Sequence, residues 1–211
     1  TLELSTFDSA SSLLANLPAA GRRLQQMMSE LTNALPDLQQ QDRQDVQLLF
    51  EGVLRFAHTV LDDRLDAHAD GDVDEAWFQA QLKAFLQADP RIGARLGERV
   101  GRAGGITDLV LGNIVLELKF ENEKALTLES AGHRYAGQAT QYGSAGDSQV
   151  SLLAVLDVSP KRAPAGVMGN EVGWVRPVTA SGPDPALPSL VGVVVVRGGF
   201  LRPSDLSRYL S

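Results

Sequence analysis

Hydrophobic residues in the first third of the chain recur with a helical period. Within residues 9–34 they fall every three or four positions, which predicts one apolar helix face made of Leu13, Leu14, Leu17, Leu24, Met27, Met28 and Leu31. Pro18 interrupts that helix, and Pro36 suits the first turn of a second one. The second helix carries a broad apolar stripe, and we expect it to end near His68, before a turn at residues 70–72.

Apolar runs of strand length follow in the second half of the chain. A shorter third helix ends at Asp89-Pro90, because the residue before a proline disfavours helical geometry. Residues 129–144 are compatible with a further helix, whereas residues 149–158 and 190–197 are typical of buried strands. Residues 160–188 hold six of the ten prolines, so we expect an irregular segment there. This order of elements predicts an α/β fold with a central mixed sheet flanked by helices.

The length of 211 residues allows one large domain with a small extension. We expect residues 1–40 to form a helical extension for dimerisation or linking, because residues 24–35 offer a Leu/Met stripe, and residues 41–211 to form the main domain. The chain begins with Thr1 rather than Met, which favours a piece of a longer protein with further domains or subunits. No apolar stretch reaches the ~18 residues of a membrane span, so no membrane partner is expected.

Charge and cysteine content exclude some classes of site. With 26 acidic and 19 basic residues, the net charge of −7 argues against a nucleic-acid partner. However, residues 37–75 hold eleven acids and three bases, so the remainder is nearly neutral and can still present a basic groove. A chain without cysteine has no disulfide, no thiolate zinc site, no iron–sulfur cluster and no cysteine nucleophile. The same absence fits a cytoplasmic location.

Residues 107–120, with the sequence TDLVLGNIVLELKF, predict a β-hairpin. Gly112-Asn113 separates two apolar runs and is a strong signal for a two-residue turn. In such a hairpin Leu111 pairs with Ile114, and this register fixes every other pair along the two strands.

The predicted register places Asp108 directly opposite Glu117. Two carboxylates at ~4.5–5.5 Å between Cβ atoms repel each other, whereas a divalent cation between them reverses the sign of the interaction. Lys119 shares the strand face of Glu117. Carboxylates that hold Mg²⁺, together with a lysine that orients or deprotonates a water, suit metal-dependent hydrolysis of a phosphodiester. The competing interpretation is a solvated strand face on which Asp108 has no special role.

A second pair of polar residues follows on the predicted helix after the hairpin. Gln138 and Tyr142 are four residues apart and share one helix face. The neighbouring stripe contains only small residues, namely Gly132, Ala136, Ala139 and Gly143, which allows a close approach to the sheet. Gln138 and Tyr142 can then reach a phosphate or a bound water, or they can be an ordinary surface pair.

These residues together resemble the PD-(D/E)XK nuclease superfamily, in the branch with a Gln-x-x-x-Tyr motif. The matching residues are Asp108, Glu117-Leu118-Lys119, Gln138 and Tyr142, and the similarity covers about residues 95–158. The resemblance implies a restriction-endonuclease-like core with Asp108, Glu117 and the Leu118 carbonyl as Mg²⁺ ligands, with Mn²⁺ as a substitute. It also implies a catalytic role for Lys119 and accessory roles for Gln138 and Tyr142.

Two further features bear on that resemblance. Thr107 stands where the family has its name-giving proline, a substitution that the family tolerates. Many relatives place a glutamate from a preceding helix at the metal, and Glu51 is our candidate, although it can equally be a boundary residue of an acidic helix.

The resemblance implies an endonuclease that cleaves DNA, with a role in bacterial restriction or phage defence. Basic residues near the hairpin are candidates for phosphate contacts, or alternatively a solvated basic segment; they are Arg91, Arg95, Arg99, Arg102, Lys124 and Arg134. The alternatives are a recombination, repair or RNA nuclease, and a non-catalytic nucleic-acid-binding assembly subunit with the same fold.

Overall fold

The structure is a computed structural model that describes residues 17–61, 73–99, 108–143, 148–161, 166–176 and 190–199, without the side chains of residues 99 and 137–143. Four α-helices lie in these ranges: α1 (Pro18–Ala34), α2 (Gln40–Leu61), α3 (Glu75–Gln87) and α4 (Leu128–Gly143). The six strands are β1 (Leu96–Arg99), β2 (Asp108–Leu111), β3 (Ile114–Glu121), β4 (Val150–Asp157), β5 (Val172–Val175) and β6 (Leu190–Arg197).

All six strands form one mixed sheet in the order β1-β2-β3-β4-β6-β5. Strands β1, β2 and β3 are antiparallel neighbours, β3, β4 and β6 run parallel, and β5 is antiparallel to β6. Helix α4 connects the parallel strands β3 and β4, as crossover connections usually do. The predicted α/β class, the mixed sheet and the two long apolar strands are therefore confirmed.

Strand β5 was not predicted, because it lies inside the segment expected to be irregular. It has only four residues, and its place in the sheet comes from pairing with the fully apolar β6 rather than from its own pattern.

The sheet is covered on both faces, which explains why β4 and β6 are buried almost throughout. Helices α1, α2 and α3 pack on one face around Phe50, Phe56 and Phe78. Helix α4 packs on the other face, against the odd-numbered residues of β4 and β6. A Cβ atom at Gly132 would lie 2.7 Å from Val175 Cγ2, so glycine at this position allows α4 to approach the sheet closely.

Helix α1 belongs to the main core and is not a separate extension. Its apolar face, made of Ala20, Leu24, Met27, Met28 and Leu31, is buried within the chain. The Trp174 Nε1–H group donates to the Met27 carbonyl at 2.9 Å, and Arg23 Nε donates to the Val172 carbonyl at 3.3 Å. The Leu/Met stripe on which we based a dimer is thus occupied by the chain itself, and it supports neither a boundary at residue 40 nor a dimer interface.

The β2–β3 hairpin has the predicted register, with Leu111 paired to Ile114 and Leu109 to Leu116. Gly112 adopts the left-handed region, with φ of +59°, which favours glycine. Helix α2 lies against this turn, since Asn113 Nδ2 donates to Asp42 Oδ1 at 3.3 Å. The buried Asp45 of the same helix accepts from Arg95, just before β1, at 2.6 and 2.7 Å.

Within the described ranges, no helix is both long enough and apolar enough to cross a membrane.

Replacement of Gly112 by alanine is expected to lower the free energy of unfolding by about 1–3 kcal/mol. The new Cβ would sit at a strained φ and 2.5 Å from Asp45 Oδ2. The matched control is Gly97→Ala on the edge strand β1, where the nearest atom is 3.8 Å away. Urea unfolding of both variants measures the difference, and equal stabilities would show that the turn does not need glycine.

Candidate active site

A row of charged side chains lies on the face of β3 that is opposite to its apolar face. Ile114, Leu116 and Leu118 point into the core under helices α1–α3. Because side chains alternate along a strand, Glu117 and Lys119 share the other face, as predicted.

Lys119 is held between two carboxylates. Its Nζ atom lies 2.6 Å from Glu117 Oε1 and 3.5 Å from Glu75 Oε1, the latter at the start of α3. Burial alone would lower the pKa of Lys119, but the hydrogen bond and charge of Glu117, followed by the charge of Glu75, outweigh it and raise the pKa. Lys119 is therefore an ammonium group at neutral pH.

Asp108 begins β2 and is largely buried, with 7% exposure. The observed hairpin register, continued by one pair beyond Leu109 and Leu116, places it opposite Glu117. On its other side Asp108 pairs in register with Arg99 of β1. The expected repulsion between the two carboxylates is reduced, since the Lys119 ammonium supplies a positive charge to Glu117.

The second oxygen of Glu117 has no partner. Glu117 is 2% exposed, and within the described part of the chain its Oε2 atom is buried without a hydrogen bond. A buried carboxylate oxygen without a donor is costly, and a hard cation such as Mg²⁺ prefers such oxygen ligands. Asp108 and Glu117 thus fit the donor chemistry of the expected ion, although no group of three or more such ligands is found in the described ranges.

The helical carboxylate at this site is Glu75 and not Glu51. Glu51 is buried, and it accepts from Gln47 Nε2 at 2.9 Å and from Arg91 at 3.2 Å. These two contacts place Glu51 in an ion-pair cluster, which agrees with the alternative of a structural residue of α2 rather than with the metal ligand. Sequence reasoning missed Glu75, since it follows the capping residue Asp74 and is ordinary for a first helical turn. Burial raises the pKa of Glu75 despite the nearby Lys119.

Glu121 continues the row, but both of its oxygens are occupied. Oε1 accepts from the backbone N–H groups of Glu123 and Lys124 at 2.8 and 3.2 Å. Oε2 accepts from the Arg134 guanidinium and from the Tyr135 hydroxyl. Burial would raise the pKa of Glu121, yet these donors together lower it. Arg134 is therefore paired within the chain, although half of its side chain remains exposed.

Two of the arginines expected to contact phosphate are bound to buried carboxylates instead. Arg91 donates to both oxygens of Asp89, at 3.1 and 2.8 Å, and also to Glu51. Arg95 binds Asp45 through one nitrogen. Both residues hold the region before β1 against α2, which is a structural role that charge counting does not reveal.

For several other candidate residues the side chain lies outside the described part of the structure. The side chain of Arg99, and all of Arg102 and Thr107, lie outside the described residues. Gln138 and Tyr142 are on the helical backbone of α4, as predicted, but their side chains also lie outside the description. Lys124 is exposed at the surface.

Comparison of the chain with models of protein families, with curated proteins and with solved structures finds no match. The geometry around Glu117 and Lys119 is consequently the main basis for a functional proposal.

Asp89→Asn is expected to lower the free energy of unfolding at pH 7 by about 1.5–3 kcal/mol, because it removes charge-assisted bonds to Arg91 and Arg55. The Arg91 hydrogen bond, above all, lowers the pKa of Asp89 against the opposing effect of burial. The stabilisation of the fold by ionised Asp89 is therefore present above the unfolded-state pKa of about 4, and it is lost as the pH falls towards the lower folded-state pKa.

Urea unfolding at pH 7 and pH 3 measures this difference. The gap between wild type and Asp89→Asn should narrow at pH 3, and the exposed Asp37→Asn variant is the control. A gap that stays constant between the two pH values would contradict an ionised Asp89 as the centre of the cluster.

Proposed function

We propose that this chain is a Mg²⁺-dependent nuclease that hydrolyses phosphodiester bonds of DNA, acting in the cytoplasm as an endonuclease of restriction or phage defence. The observation that carries the proposal is the contact of Lys119 with Glu117, on a strand face where the register brings Asp108 opposite. The biological role rests only on the resemblance of this motif to PD-(D/E)XK nucleases.

Asp108 and Glu117 would hold the metal ion, with the Leu118 carbonyl as a further ligand implied by the resemblance. A bound Mg²⁺ supplies Lewis acidity at the phosphate and lowers the pKa of a coordinated water. The contacts of Glu117 support its assignment as a metal ligand. One of its oxygens is bound to Lys119, and the other has no donor within the described residues.

The proposed role of Lys119 is that of a hydrogen-bond donor. Two carboxylates raise its pKa, so it carries a positive charge where negative charge develops on the phosphate during hydrolysis. Removal of a proton from the attacking water would need the neutral amine, and the surroundings of Lys119 disfavour that form. Glu75 keeps the ammonium beside Glu117 from the side of helix α3.

Contacts to the substrate are proposed for a smaller set of basic residues than the sequence indicated. Arg91 and Arg95 are occupied by internal carboxylates. Lys124 and the exposed half of Arg134 remain as candidates next to Glu121. Arg99 is also retained, because its backbone pairs with Asp108.

The test is cleavage of supercoiled plasmid by the purified chain with Mg²⁺, compared with EDTA. We expect Asp108→Asn, Glu117→Gln and Lys119→Gln each to lower the rate by at least about 10²-fold, because each removes a group that acts on the reacting phosphate or its metal. Linear duplex, circular single strands and RNA, tested in parallel, separate endonuclease from exonuclease activity and DNA from RNA.

Matched controls change the same chemical groups away from the site. Glu123→Gln and Lys83→Gln should cleave like wild type, since Glu123 is exposed and Lys83 pairs with Glu98. Melting temperatures must show that each variant is folded. DNA binding without cleavage by the wild-type chain would favour a non-catalytic subunit, and near wild-type cleavage by folded Lys119→Gln would refute the assigned site.

A further inference from the structure

Ser151 is a buried polar residue whose neighbours along β4 and across to β6 are apolar. Its neighbours in β4 and its register partner in β6, Val191, are buried hydrophobic residues. Ser151 has 0% exposure, and within the described part of the chain its hydroxyl has no hydrogen-bond partner. Buried hydroxyl groups are normally satisfied, so this one requires an explanation.

The register of the parallel strands places Ser151 close to the candidate active site. Glu117 of β3 pairs with Leu153 of β4. Ser151 precedes Leu153 by two residues, so it lies on the same face of the sheet, under α4. Ser151 and Glu117 are therefore diagonal neighbours, with Cα atoms about 7–8 Å apart, a distance that a long side chain can span.

The two unpartnered atoms are chemically complementary. Glu117 Oε1 is bound to Lys119, which lies further along β3 and away from Ser151, whereas Oε2 is buried and free. A serine hydroxyl can donate one hydrogen bond and a carboxylate oxygen can accept it. If the remaining gap exceeds a direct bond, one water can bridge the two groups.

We propose that Ser151 is a positioning residue for Glu117. Its hydroxyl donates to Glu117 Oε2, directly or across one water, and so fixes the orientation of the carboxylate as a metal ligand. Ligating carboxylates commonly depend on such outer hydrogen bonds. The inference rests on the proposed nuclease function, because it assigns Glu117 to the metal.

The experiment compares the full chain with Ser151→Ala and with the pair Ser151→Thr and Ser151→Val, which have nearly the same shape and differ in the hydroxyl group. Mn²⁺ affinity is measured by calorimetry, and melting temperature is measured in EDTA. We expect Ser151→Ala and Ser151→Val to bind Mn²⁺ about 10-fold more weakly or worse, and Ser151→Thr to bind close to wild type. The melting temperature of Ser151→Ala in EDTA should fall below that of wild type, because the buried Glu117 carboxylate loses a donor, and Ser151→Thr should melt close to wild type.

Contrary results have distinct meanings. Wild-type Mn²⁺ affinity in Ser151→Ala and Ser151→Val would overturn the positioning role while leaving the nuclease proposal intact. A lower melting temperature of Ser151→Ala in EDTA, without loss of Mn²⁺ affinity, would show a structural hydroxyl and would also overturn it. A wild-type chain that neither binds Mn²⁺ nor cleaves DNA would refute the proposed function itself.

Discussion

The arrangement of the candidate site depends on the register of the β2–β3 hairpin, whose turn lies against helix α2. Asn113 Nδ2 donates to Asp42 Oδ1 of this helix at 3.3 Å, and a Cβ atom at Gly112 would lie 2.5 Å from Asp45 Oδ2. The turn fixes the hairpin register, and a slip by one residue would exchange the two faces of β3. Glu117 would then enter the apolar core and Leu118 would take its place, so the register set at the turn determines which side chains line the candidate site.

Buried acids recur along the parallel strands β3 and β4, and they differ in how far their oxygens are occupied. Asp157 is fully buried, and both of its oxygens accept from cations, hydroxyl or backbone donors. Glu121 is likewise satisfied at both oxygens. Glu117 resembles them in burial and in having a cationic partner, Lys119, but one of its oxygens is unoccupied. A buried carboxylate oxygen is normally satisfied, so Glu117 is the acid of this group on which a functional proposal can be built.

Local patterns in the sequence were sufficient for the hairpin, its register and the alternation that brings Glu117 and Lys119 together. These features depend on a turn type and on the two-residue period of a strand, both of which are local. Glu75 could not be predicted, because its approach to Lys119 depends on where α3 packs. The internal pairing of the arginines could not be predicted for a related reason. A positive charge in a sequence does not show whether a carboxylate from another element already neutralises it, as Asp45 does for Arg95.

The docking of α1 on β5 has a consequence for synthesis of the chain. The hydrogen bond from Trp174 to Met27 joins residues 147 positions apart. At about 5–20 residues per second, the ribosome would deliver β5 roughly 7–30 s after the Met27 region has been made. During that interval the leucine and methionine face of α1 lacks its partner on the sheet. Docking of α1 on the sheet is thus a late step of synthesis, whereas its packing against α2 needs only residues 17–61.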